Sequence, residues 1–119
     1  MNLDTLELAR HIVEIIEDNK GNNIVLMDLR PDMVMADFFV LCNGTSDRQL
    51  KALIDYVRKG VKERFDGLLP FHIDGDAESG WVIIDYSEVV VHLFQEEKRQ
   101  YYDLEGLWRA ESSVLLSIQ

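Results

Sequence analysis

The stretch Trp81–Phe94 constrains the fold more than any other part of this chain. Two apolar runs, Trp81–Tyr86 and Val89–Phe94, are separated only by Ser87-Glu88. Two residues suffice for a tight turn and nothing larger, so the runs predict an antiparallel hairpin. Alternation places Trp81, Ile83 and Asp85 on one side of the first strand, with Val82, Ile84 and Tyr86 on the other. In the second strand Val89, Val91 and Leu93 alternate with Val90, His92 and Phe94. Both sides are largely apolar, so the hairpin belongs inside a larger sheet. Either helices cover both faces, or one face stays open as a docking surface with Trp and Tyr as anchors.

The remaining pattern supplies both strands and helices. Leu6, Ala9, Val13 and Ile16, widened by Leu8, Ile12 and Ile15, form the stripe of a first helix that ends at Asn19–Asn23. Ile24–Leu29 reads as a strand buried on both faces, stopped by Arg30-Pro31-Asp32. Asp37–Cys42 is a second strand, followed by the turn Asn43-Gly44-Thr45. Ser46-Asp47-Arg48-Gln49 reads as a capping box, opening a helix with Leu50, Leu53, Ile54, Val57 and Val61 on one face and Gly67 at its close. Leu69–Asp74 precedes the hairpin as a further strand. A third helix is expected from about Glu96 to Leu107, with Tyr101, Leu104 and Trp108 on one side. The expected architecture is an α/β fold, a mixed five-stranded sheet flanked by helices in a single domain over residues 1–108. The tail, residues 109–119, has no assigned role.

Composition narrows the functional classes. The 119 residues carry a formal net charge of −10, which disfavours broad contact with a phosphate backbone and favours a basic partner. The longest apolar runs are too short to span a bilayer, and the first residues lack a secretion signal. A single cysteine, Cys42, excludes an intrachain disulfide framework and fits a cytoplasmic protein.

Candidate chemical motifs are incomplete. Asp74-Gly75-Asp76-Ala77-Glu78 begins like a calcium loop, with Asp85 at the twelfth position, but Ser79 stands where the sharp turn needs Gly. An acidic surface turn explains it without a metal. Gly44-Thr45-Ser46 could present amides to a phosphate, yet it lacks the spacing of a dinucleotide fingerprint and the Lys of a P-loop. His11, His72, His92 and Cys42 form no catalytic set that can be assembled from the sequence. No cofactor is implied.

Four blocks resemble a known family. Asp37-Phe38-Phe39-Val40-Leu41-Cys42-Asn43-Gly44-Thr45-Ser46-Asp47-Arg48-Gln49, Trp81–Tyr86, Val89–Phe94 and Arg99–Trp108 resemble, in order and spacing, the signatures of the ribosomal silencing factor (Iojap) family. The resemblance runs from about Leu6 to Trp108. It implies a nucleotidyltransferase-like fold without that activity, and binding to the large ribosomal subunit through its L-fourteen-type protein. Subunit joining would then be blocked sterically and translation repressed; self-association as a homodimer is also implied. Carried over by position, Trp81, Asp85, Tyr86, Glu88 and His92 are the expected docking residues, with Asp37, Asp47, Arg48, Arg99 and Tyr102 secondary. The chain departs from the family at Ser87-Glu88, where Gly-Asp is frequent, and at Asn43, where a small Ser or Thr is usual. A small nucleotide-binding enzyme of the nucleotidyltransferase type is the alternative reading.

Overall fold

The computed structural model of the chain describes residues 3–30, 36–108 and 113–118, without the side chains of Leu107, Trp108 and Ser113. The first apolar stripe forms helix α1 (Thr5–Asp18), started by Asp4, whose carboxylate accepts from the amides of Leu6 and Glu7. Strands β1 (Asn22–Asp28) and β2 (Phe38–Gly44) follow, paired antiparallel. The long helix α2 (Asp47–Arg64) opens on Ser46, whose Oγ accepts from Gln49 N at 3.1 Å. The expected reciprocal contact differs in one partner: the Gln49 side chain accepts from Thr45 N at 2.6 Å, not from the Ser46 amide.

Beyond α2, β3 (His72–Asp76), a short 3-10 turn (Ala77–Ser79), β4 (Trp81–Asp85) and β5 (Val89–Gln95) build an antiparallel meander. Parallel pairing of β5 with β2 closes the sheet. Strand β3 starts three residues later than the apolar pattern suggests, because Phe71 enters the ladder only through its amide, donated to Asp85 O. Gly75 lies in β3 at φ +76°, where a Cβ would run into the Trp81 carbonyl. Glycine therefore lets β3 approach β4 closely.

Two expectations are corrected. The third helix is broken into α3 (Glu96–Tyr102) and α4 (Leu104–Trp108), because Asp103 turns left-handed at φ 44° and its carboxylate caps Gly106 N. The sheet has six strands, in the order β3-β4-β5-β2-β1-β6, because β6 (Ser113–Ile118) in the unassigned tail pairs antiparallel with β1. Pro31, Asp32 and residues 109–112 and 119 lie outside the described residues, as does the side chain of Trp108.

Helices α1 and α2 cover one sheet face. Leu8, Ile12 and Ile16 of α1 and Leu50, Leu53, Val57 and Val61 of α2 pack on Phe38, Val40, Val89, Val91 and Leu93. Burying each Leu or Ile side chain contributes about 1.5–3 kcal/mol, so this face supplies most of the drive to fold. A smaller cluster lies on the opposite face: Val25, Met27, Leu29, Ala36, Phe39, Leu41 and Phe94, with Leu104 of α4 against it. That second face has no long helix of its own.

Candidate docking face

Register decides which side chains share the second face. Trp81 pairs with Phe94, Ile83 with His92 and Asp85 with Val90, and cross-strand partners lie on the same side of a sheet. On β4's other edge the partners are Asp76, Asp74 and His72. Trp81, Ile83, Asp85 and Val90 are half-buried, while His72, Asp74 and Asp76 are exposed. The result is a partly open apolar strip bordered by carboxylates. His72 Nε2 lies 3.0 Å from Asp74 Oδ2 and 3.7 Å from Asp85 Oδ2, tying the acidic border together.

Trp81 is held on three sides. It stacks on Phe94 at a centroid distance of 5.2 Å, and the Tyr102 ring of α3 lies 4.5 Å away. Its indole N–H donates to His92 Nδ1 at 3.2 Å. An acceptor at Nδ1 requires the neutral imidazole with its proton on Nε2. Nε2 is buried with no hydrogen-bond partner, and burial pushes the His92 pKa down to about 3. His92 is therefore an uncharged brace for Trp81, only 5% exposed, and not part of a charged rim.

The other expected residues scatter. Tyr86 points to the helix-covered face, is buried there without a partner for its hydroxyl, and has its pKa pushed up to about 12 by burial. Strand alternation separates it from Trp81, so the two cannot share one surface. Glu88 is exposed in the hairpin turn, where Ser87 adopts φ 73° and donates its amide to Asp85 Oδ1 at 2.6 Å. The Glu88 carbonyl accepts from the amides of Asp37 and Phe38, and the Asp37 carboxylate accepts from Thr5 Oγ1 at 2.8 Å. Asp37 and Glu88 thus lie at one end of the parallel pair β2/β5, with Asp47 and Arg48 exposed at the other. Asp47 accepts from the Gln95 amide.

Arg99 is turned inward. At 8% exposure its guanidinium donates to Glu105 Oε1 at 2.7 Å, to Asn43 Oδ1 at 2.9 Å and to the Asn23 carbonyl. It pins α3 and α4 to the ends of β1 and β2 and is not free to meet a partner. Asn43, unusual for the family resemblance, is one of its acceptors.

The motifs that could have carried chemistry are spent on structure. Asp76 Oδ1 caps the 3-10 turn through Ser79 N at 2.8 Å, and Asp74 lies in β3, so the acidic run is a hairpin connection. No group of three or more His, Cys, Asp or Glu among the described residues is placed to hold a metal ion. Beside Gly44-Thr45-Ser46 lies a crevice of about 510 Å³, edged by Glu96 and Glu97 and by no basic residue. A phosphate there would face carboxylates instead of a cationic clamp. Cys42 is fully buried and its thiol pKa is pushed up to about 12, which suits a core residue.

Asp74, Asp76 and Val90 join the docking strip although the sequence reading did not place them there. Extending the predicted strand two residues, to Asp76, would have put both acids on the face of Trp81.

Fold and face define a class: a small α/β protein with one sheet face sealed by helices and the other partly open, apolar and acid-bordered. The comparisons make this specific. Residues 2–119 match the family described as "Ribosomal silencing factor during starvation". The chain is 35% identical over 115 residues to the ribosomal silencing factor RsfS of Halalkalibacterium halodurans, covering 97% of this chain and 94% of that protein. It is 34% identical over 92 residues to that of Bacillus subtilis, covering 77% and 76%. A crystal structure of a Chromobacterium violaceum protein superposes with a TM-score of 0.83 at 32% identity, over 90% of this chain and 88% of the other. The chain belongs to the ribosomal silencing factor (RsfS/Iojap) family. Membership supports a ribosome-associated role in silencing translation. No helix among the described residues is long and apolar enough to cross a membrane.

Proposed function

We propose that this chain is a non-enzymatic cytoplasmic repressor that docks on the large ribosomal subunit, through its L-fourteen-type protein, and sterically blocks joining of the small subunit. The observation that carries the reading is the half-open strip of Trp81, Ile83 and Val90 bordered by Asp74, Asp76 and Asp85. Apolar side chains at the centre of such a patch provide affinity once desolvated, while the acids select a basic partner and speed encounter. A net charge of −10 acts in the same direction, repelling bare RNA and favouring a basic ribosomal protein. The alternative nucleotide-binding reading would need a basic phosphate clamp at the Gly44–Ser46 turn, and Glu96 and Glu97 border that crevice instead.

The test adds purified protein to isolated subunits and follows formation of the joined ribosome. Saturating protein is expected to suppress joining, and Trp81→Ala to require far more protein for the same effect. Undiminished joining at saturation would refute the reading.

A further inference from the structure

The sheet ends in β6, whose outer edge has no strand partner among the described residues. Residues 113–118 carry no charge, and Val114, Leu115 and Leu116 are 57%, 46% and 37% exposed. Natural edge strands are usually blunted by Lys or Pro or covered by other chain. Here the register skips Leu115 between Leu116, which pairs with Leu26, and Val114, which pairs with Met27. This bulge brings both Leu115 and Leu116 alongside α1. With Val13, Leu26 and Ile118 they line a groove of about 250 Å³, whose polar edge is Arg10, Glu14 and Glu17 of α1.

We propose that this groove and the edge of β6 form a two-fold interface with a second copy of the chain. The charges argue for that occupant. Arg10 and Glu17 have no ion-pair partner among the described residues and lie on either side of Val13-Glu14. A two-fold axis beside that midpoint brings Arg10 of each copy to Glu17 of the partner subunit, so both signs are answered twice. An isologous interface requires such self-complementarity. An anionic ligand would meet Glu14 and Glu17, and a basic one would meet Arg10; a second copy satisfies all three. Antiparallel contact of the two β6 edges is the geometry a two-fold axis produces, and the uncharged strand escapes the repulsion that the rest of this acidic chain imposes. β6 and β3 are opposite edges of the sheet, so the pairing leaves the Trp81 strip uncovered.

Sedimentation equilibrium of the full chain through the micromolar range tests this. A reversible monomer–dimer equilibrium is expected. Leu115→Glu should raise the dissociation constant about a hundred-fold, because two carboxylates would be buried in the groove. Arg10→Glu should weaken the dimer about ten-fold, and Arg10→Glu combined with Glu17→Arg should restore it. Arg10 and Glu17 are exposed on α1, so these variants fold and decide the matter even if Leu115→Glu does not. A chain that stays monomeric throughout would overturn the proposal. So would a folded Leu115→Glu that dimerises like the parent, or a charge swap that fails to rescue. Because the docking strip lies at the other edge, monomeric variants should still bind large subunits, which separates failure here from failure of the docking reading.

Discussion

Trp81 and His92 act as one unit. The indole N–H takes up Nδ1, which places the imidazole proton on Nε2, where nothing accepts it. Leaving a buried donor unpaired costs about 1–3 kcal/mol, which the fold sustains to hold Trp81 in a single orientation beside Phe94 and Tyr102. Truncating Trp81 to Ala should weaken large-subunit binding by about 2 kcal/mol or more, measured by titration with purified subunits. Unchanged affinity would remove Trp81 from the interface. His92 also makes a pH prediction. Its folded pKa of about 3 lies below the unfolded value of 6.5, so the unfolded chain binds the extra proton between them. Stability from this group is therefore fully present above pH 6.5 and is lost as pH falls towards 3, at about 1.4 kcal/mol for each unit crossed. Urea unfolding followed down this window should show a shallower decline in His92→Gln than in the parent. Identical slopes would mean that His92 is not the group responsible. Alternation in the sequence already put Trp81 and His92 on facing sides of adjacent strands. It could not show that Tyr102 would reach Trp81 from α3, because that contact depends on the break at Asp103.

At the level of elements, the second face depends on Arg99. Its guanidinium joins α3 to β1, β2 and α4 through Asn23, Asn43 and Glu105. Arg99→Met should cost about 2 kcal/mol or more by orphaning these acceptors, and should raise amide exchange across residues 96–108 before the rest of the sheet. Uniform exchange across the molecule would contradict this local role. The helices, β1, β2 and the β4–β5 hairpin were legible because each has an apolar period or run long enough to decide its type. The α3–α4 break was not, since a non-glycine left-handed residue leaves little trace in a sequence. Nor was β6 legible: Val114-Leu115-Leu116 is a short apolar run whose strand character depends on the free edge of β1, a distant partner that no local pattern reveals. Candidate residues carried over by position fared according to where their backbone led. Trp81 and Asp85 share the open face, whereas Tyr86 and Arg99 turned inward because strand parity and a buried hydrogen-bond network claimed them.

Across the whole molecule, helices α1 and α2 take one sheet face for the core, and the two short helices cover only part of the other. That asymmetry gives a chain of 119 residues a stable interior and a surface to spare. The surplus surface combines aromatic and aliphatic side chains with Asp74, Asp76 and Asp85, and belongs to a family of ribosomal silencing factors. Gradient sedimentation of isolated large subunits with the parent chain and with Ile83→Glu tests this assignment most directly. Ile83 sits mid-strip and half-buried, so a carboxylate there would be desolvated on docking while the helix-covered core is untouched. The parent should travel with the large subunit and folded Ile83→Glu should stay at the top of the gradient; co-sedimentation of both to the same extent would contradict the assignment of this face.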